Sequence, residues 1–253
     1  MLITGRIADA FKRQDWATVL VELVLVVAGV LIALRLDQLA EDRRVHAQEI
    51  NFLKLVRTDI SRDIEDLENI EQVMTAVRDF GDEALATLAE NSCAEKCWTK
   101  LVAFFHASQW IDVRLNTATY EEIKRTGFPR DPELKDELSR YYSLGEQRYM
   151  IANLPQYREV VRSIIPVTVQ DYLWENCWEI SGRRQKLIAD CEASINNADA
   201  QRIIDELRAD RDTEKTLRFW LSTAAVIKKT VPPQILEADQ LKAKLSEHIE
   251  NME

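Results

Sequence analysis

Residues 17–34 read ATVLVELVLVVAGVLIAL, 18 positions with one charged side chain, Glu22. As an α-helix this stretch rises about 27 Å, close to the hydrocarbon thickness of a bilayer. Trp16 stands at its front edge, where an indole suits the headgroup region. Arg35 follows its end, where a long side chain reaches back to the interface. The stretch therefore predicts a single transmembrane helix over 16–36. A cleaved signal peptide accounts for it less well. Glu22 interrupts the apolar core, and Arg35-Leu36-Asp37-Gln38-Leu39 offers no small-x-small cleavage site. A buried helix of a globular domain seldom has so few polar positions. No later stretch is long enough for a second span.

Upstream, Ile3, Ile7, Ala8 and Phe11 share one helical face, while Arg6, Lys12 and Arg13 fall elsewhere. This predicts an amphipathic interfacial helix over 1–15, with a frayed terminus as the alternative. Basic residues flank the span on both sides, so the positive-inside count does not fix orientation. The cysteines favour one side. All four, Cys93, Cys97, Cys177 and Cys191, follow the span, and an even set suits disulfides in an oxidising compartment. The expectation is a cytoplasmic N-terminus and a C-terminal ectodomain, from about residue 37, outside the cytoplasm. About 16 residues would remain in the cytoplasm, too few for an output domain.

The chain has 253 residues, 33 Lys and Arg, 43 Asp and Glu, and a net charge of −10. The acidity lies after residue 36, since residues 1–36 hold four basic and three acidic side chains. Such a chain lacks the excess of Lys and Arg that displaces counterions from nucleic acid. A hydrophobic content of 46% excludes an intrinsically disordered chain, and six glycines leave little material for phosphate loops or hairpin turns.

Beyond the span, apolar residues keep helical spacing. Leu53, Val56, Ile60, Leu67, Ile70, Met74 and Val77 fill a and d positions of a heptad, and Asp63 breaks the seam at one d. No Pro or Gly occurs between Val30 and Phe80, so span and seam read as one continuous helix, with a stalk over 37–90. The seam is a coiled-coil surface that either pairs with another copy or folds back on its own chain. The remainder, 91–253, predicts a helical ectodomain. Residues 98–108 form a core helix, Thr119-Tyr120-Glu121-Glu122 fits a capping box, and Gly127 ends that helix. Asp131-Pro132 starts another as N-cap and first helical residue. Residues 157–165, 167–180, 187–193, 198–208 and 213–230 follow as helices, the last capped by Asp212 and stopped by Pro232-Pro233. The tail bearing Ile235, Leu236, Leu241, Leu245 and Ile249 has helical period but no width for a core. The fold class expected is all-α.

No catalytic constellation emerges. His46, His106 and His248 are scattered, and His106 reads as a packed core histidine. No zinc-protease helix, nucleophile elbow or dinucleotide fingerprint occurs. The chain is thus expected to be no enzyme and to carry no cofactor or metal. Four cysteines admit three pairings, of which 93–97 with 177–191 is the simplest. Glu22 is the most pointed residue. Thr18, Glu22, Gly29 and Ala33 fall on one stripe, small enough for close helix approach with a hydrogen bond across it. Three roles stand open for Glu22: an oligomer contact, snorkelling to the headgroups, or an ion or proton path.

The segment GRIADAFKRQDWATVLVELVLVVAGVLIALRLDQLAEDRR, together with TYEEIKRTG and ELKDELSRYY further on, resembles a widespread group of bacterial single-pass membrane proteins built around a domain of unknown function. Glu22 and Gly29 match the acidic and glycine positions of its span. Asp37-Gln38-Leu39-Ala40 replaces an Asn-Trp-Asn-like stretch common in that group. The resemblance implies topology and no activity; by it the membrane is the bacterial inner membrane and the ectodomain is periplasmic. The function expected is a membrane-anchored envelope protein with a structural, oligomerisation or scaffolding role. An accessory subunit of a larger respiratory, transport or secretion complex is the alternative, and a periplasmic ligand-binding or sensor module the second alternative. Expected partners are membrane lipid and a second copy or another membrane protein, with no nucleic acid and no small-molecule ligand.

Overall fold

A computed structural model describes residues 16–111, 115–147, 154–182 and 184–253, of which 16–19 and 144–147 are described by backbone alone. The expected interfacial segment 1–15 and the side chain of Thr18 lie outside the described residues. Helices dominate: α1 (Trp16–Ala89), α2 (Cys97–Ala107), α3 (Ala118–Thr126), α4 (Pro132–Gln147), α5 (Gln156–Ile164), α6 (Val167–Asn176), α7 (Asn197–Ala209) and α8 (Thr213–Met252). One antiparallel hairpin, β1 (Trp178–Ser181) and β2 (Arg184–Leu187), interrupts them. The chain divides into two compact units, Met1–Asn51 and Phe52–Glu253, and the division falls inside α1 and within the expected stalk of 37–90.

In the first unit the helix buries almost nothing. Leu20, Val21, Leu23, Val24, Leu25, Val26, Val27, Val30, Leu31, Ile32, Leu34, Leu36 and Leu39 are each 49–66% exposed. Among the described residues no helix is long and apolar enough to cross a membrane. Described side chains begin at Leu20, and 18 residues counted from there take in three charges, Glu22, Arg35 and Asp37.

In the second unit the same helix is the core's central element. Leu53, Val56, Ile60, Leu67, Ile70, Met74 and Val77 are buried within the chain. The seam is covered by the chain's own fold-back rather than left open for a second copy. Helix α8 runs antiparallel beside it: Lys54 Nζ meets Glu253 (2.5 Å), Arg57 Nη1 meets Ser246 Oγ (3.3 Å), and Arg78 Nη1 donates to Leu221 O (3.1 Å). At Gly81 the two helices come so close that a Cβ would lie 2.2 Å from Leu221 Cδ2.

Several sequence expectations need correction. Helix α8 does not stop at Pro232-Pro233 but runs through both. A mid-helix proline costs about 3 kcal/mol. Burial of Val231, Ala238, Leu241, Leu245 and Ile249 offsets this, at about 1.5–3 kcal/mol for a large side chain. The tail thus has core width after all. The helix expected at 167–180 forms but ends at Asn176, where the hairpin takes over, and residues 187–193 form no helix. Gly182, at φ 62°, makes the turn that L side chains resist. Ile188 N donates to Cys177 O (2.9 Å), and Asn69 Oδ1 accepts from Gln185 N (3.1 Å). Thr119 makes no capping box, because α3 begins one residue earlier and its hydroxyl turns to Asp59. Asp212 is the N-cap residue of α8 as expected, but the side-chain capping bond comes from Asp210, whose Oδ1 accepts from Thr213 N (2.9 Å). Gly127 ends α3 at φ 83°, and Asp131 caps α4 through Leu134 N (2.7 Å).

Candidate functional site

Asp59 and Asp63 lie one helical turn apart on α1, and both face inward. A carboxylate in such a place requires hydrogen bonds, because an ion loses its water on burial. The segment before α3 supplies them. Asn116 N donates to Asp63 Oδ1 (3.1 Å) and Asn116 Nδ2 to Asp59 Oδ1 (3.3 Å), while Thr119 Oγ1 donates to Asp59 Oδ2. From α4, Tyr141 Oη donates to Asp63 Oδ2 (3.1 Å). Arg62 Nη1 reaches Asp59 Oδ1 from the surface (3.2 Å). Tyr142 closes the cluster. It stacks on Tyr120 with ring centroids 4.2 Å apart and meets Tyr141 edge-on at 5.1 Å.

Burial pushes the Asp63 carboxyl up to about 6, since two hydrogen bonds only partly offset the lost hydration and the charges of Asp66 and Asp59 add to it. Burial likewise pushes the Tyr142 hydroxyl well above the usual phenol range. The arrangement can hold a proton on Asp63 in the mildly acidic range. Tyr141 also forms one wall of a surface groove of about 200 Å³, with Glu137, Arg140, Glu237, Gln240, Leu241 and Lys244. That is below the size of an ordinary ligand pocket. Within it Lys244 Nζ already bonds Glu133 and Glu137, each at 2.7 Å.

The remaining candidates lie elsewhere. Glu22, Gly29 and Ala33 are exposed on the first unit's helix, and a Cβ on Gly29 would meet nothing within 4 Å. The cysteines pair as 93–97, in the loop joining α1 to α2, and as 177–191, at the open end of the hairpin, with Cα separations of 4.9 and 5.3 Å. The two bridges are linked, because Trp98, beside Cys97, donates through Nε1 to Cys191 O (3.1 Å). Cys93 N donates to Gln201 Oε1 (2.8 Å), tying the first bridge to α7. His106 is fully enclosed. Its Nε2 lies 3.0 Å from Ile188 O, and burial holds the ring down to about 4. Among the described residues no group of His, Cys, Asp and Glu could hold a metal ion.

Of the cluster, the sequence marked Asp63 as a break in the seam and Thr119 and Tyr120 as part of a capping box, with nothing to join them. Asn116 and Tyr141 lie 53 and 78 residues away from Asp63, and no local spacing announces them. No family model, curated protein or solved structure matches the chain.

Proposed function

We propose that this chain is a membrane-anchored envelope protein with a structural, oligomerising or scaffolding role, and that it belongs with the single-pass group it resembles. The apolar surface of the first unit carries the reading. Leu23 to Val27 are five consecutive exposed apolar positions, and consecutive helical residues point in every direction around the axis. A protein groove covers one stripe of a helix; lipid covers all of it. With residues 17–19 included, the run reaches 18 positions with one charge, the length of a span. The two disulfides support an oxidising compartment for the second unit. The stripe of Thr18, Glu22, Gly29 and Ala33 supplies the contact with a second copy.

Alkaline carbonate extraction of cell membranes tests the anchor. The protein is expected in the pellet, and release into the supernatant sinks the proposal. A phosphatase fused to the C-terminus should be active, as it is only outside the cytoplasm. Glu22→Ala is expected to weaken self-association in detergent by light scattering.

A second reading, an accessory subunit of a larger membrane complex, is favoured by Phe219 and Val226. They lie seven residues apart on one face of α8 and are 76% and 57% exposed. Native purification followed by mass spectrometry separates the two, since an accessory subunit requires a reproducible unrelated partner.

A further inference from the structure

Helix α2 ends at Ala107, and its final carbonyls are claimed one by one. Tyr157 Oη donates to Phe104 O (3.3 Å), Ser108 N to Phe105 O (3.2 Å), Gln109 N to His106 O (3.0 Å) and Trp220 Nε1 to Ala107 O (2.9 Å). Two arginines one turn apart on α5 complete this end. Arg158 Nη1 donates to Ser108 O (3.1 Å), and Arg162 Nε donates to Ser108 Oγ (3.0 Å). The Arg162 guanidinium stands 3.5 Å from the Phe105 ring centroid and 4.8 Å from that of Trp174, and Arg158 stands 5.7 Å from Trp174.

Among the described residues the charges here do not balance. A helix C-terminus offers about half a negative charge. Two guanidiniums bring two positive ones, and the aromatic faces attract cations without carrying net charge. Among the described residues neither arginine forms an ion pair. Burial and the neighbouring Arg158 hold Arg162 down to about 9. Two orphan donors accompany the excess charge. Gln109 is 2% exposed; its Oε1 accepts from Arg158 Nη1 (3.3 Å), but its Nε2 has no acceptor. Arg162 Nη2 is buried and has none either. Buried donors are nearly always satisfied, and these two belong to groups gathered around the same two residues, Ser108 and Gln109.

We propose that Arg158, Arg162 and Gln109 form a binding site for a small oxyanion, the carboxylate or phosphate group of a solute, beside Trp174. An oxyanion supplies both what the charges lack and the acceptors the orphan donors lack, and a guanidinium fork matches its geometry.

The full chain in detergent micelles tests this. It is titrated with sodium phosphate and, separately, with sodium succinate, against sodium chloride at matched ionic strength. Tryptophan emission and the thermal midpoint are read. A saturable response to one or both oxyanions, absent with chloride, is expected, and the arm that responds identifies the group. Arg162→Gln should weaken it about tenfold or more, as loss of a charged hydrogen bond does. Gln109→Leu should weaken it less, and Arg202→Gln on the exposed side of α7 should leave it unchanged. Responses indistinguishable from chloride overturn the site. So does a response of full affinity in folded Arg162→Gln and Gln109→Leu, with circular dichroism as the check on folding.

Discussion

Asp63 and His106 are both enclosed in the second unit, and burial drives each toward its neutral form, raising the carboxyl's pKa and lowering the imidazole's. Asp63 keeps part of a carboxylate's shell, with donors from Asn116 and Tyr141. His106 has only backbone carbonyls for a shell, with Ile188 O 3.0 Å from Nε2 and Cys177 also favouring the charged ring. The same cause therefore has opposite consequences for stability against pH. Between 3.8 and about 6, folded Asp63 holds a proton that the unfolded chain has released, so its contribution falls as pH rises. Between about 4 and 6.5 the unfolded chain holds a proton that folded His106 lacks, so its contribution rises with pH. Each amounts to roughly 2–3 kcal/mol. The windows overlap, and the two contributions oppose each other from pH 4 to 6.

The largest disturbance to this balance is Cys177→Ser with Cys191→Ser. Opening a loop of this length costs about 3 kcal/mol, measured by urea unfolding at pH 7. It also frees the strand end that gives Ile188 O to His106, so the histidine's NMR titration should move up toward its ordinary value. Removing one side of the pair comes next. His106→Gln should leave a protein whose stability falls by roughly 2–3 kcal/mol as pH rises from 4 to 6. Asp63→Asn should leave one whose stability rises by a similar amount, while the unmodified chain stays nearly flat. Tyr141→Phe removes one hydrogen bond to Asp63 and should cost about 1 kcal/mol. Because that bond favours the carboxylate, the Asp63 titration should also move further up. Arg202→Ala, in an exposed pair with Glu206 and far from both groups in kind, should change stability by less than about 0.5 kcal/mol.

What could be read in advance follows the range of the interactions. The seam from Leu53 to Val77 was legible because 3–4 spacing is local, and so were Gly127 and the Asp131-Pro132 start. Which surface covers the seam was not, since its contacts with α8 span 143 to 199 residues of chain. The hairpin escaped because four-residue strands leave almost no alternation to count. Gly182 between Trp178-Ile180 and the residues that precede Cys191 was the available signal. Asp63 showed as an anomaly, but its meaning depends on Asn116 and Tyr141. Nothing in the local sequence sets Arg158 and Arg162 apart, because Ser108, Gln109 and Trp174 meet them only in the fold.

The proline pair in α8 has one more consequence. Pro232 and Pro233 carry no amide hydrogen, so the carbonyls of Lys228 and Lys229 have no intrahelical donor. Ahead of that gap the helix buries Leu217, Trp220, Leu221, Ala224 and Ile227; behind it, Ala238, Leu241, Leu245 and Ile249. Cooperativity along a helix passes through its ladder of hydrogen bonds, and here two adjacent rungs are missing. The arm that pairs with the start of the seam is therefore free to open as a foldon of its own. Amide exchange should report two protection levels in this one helix, stepping at the prolines.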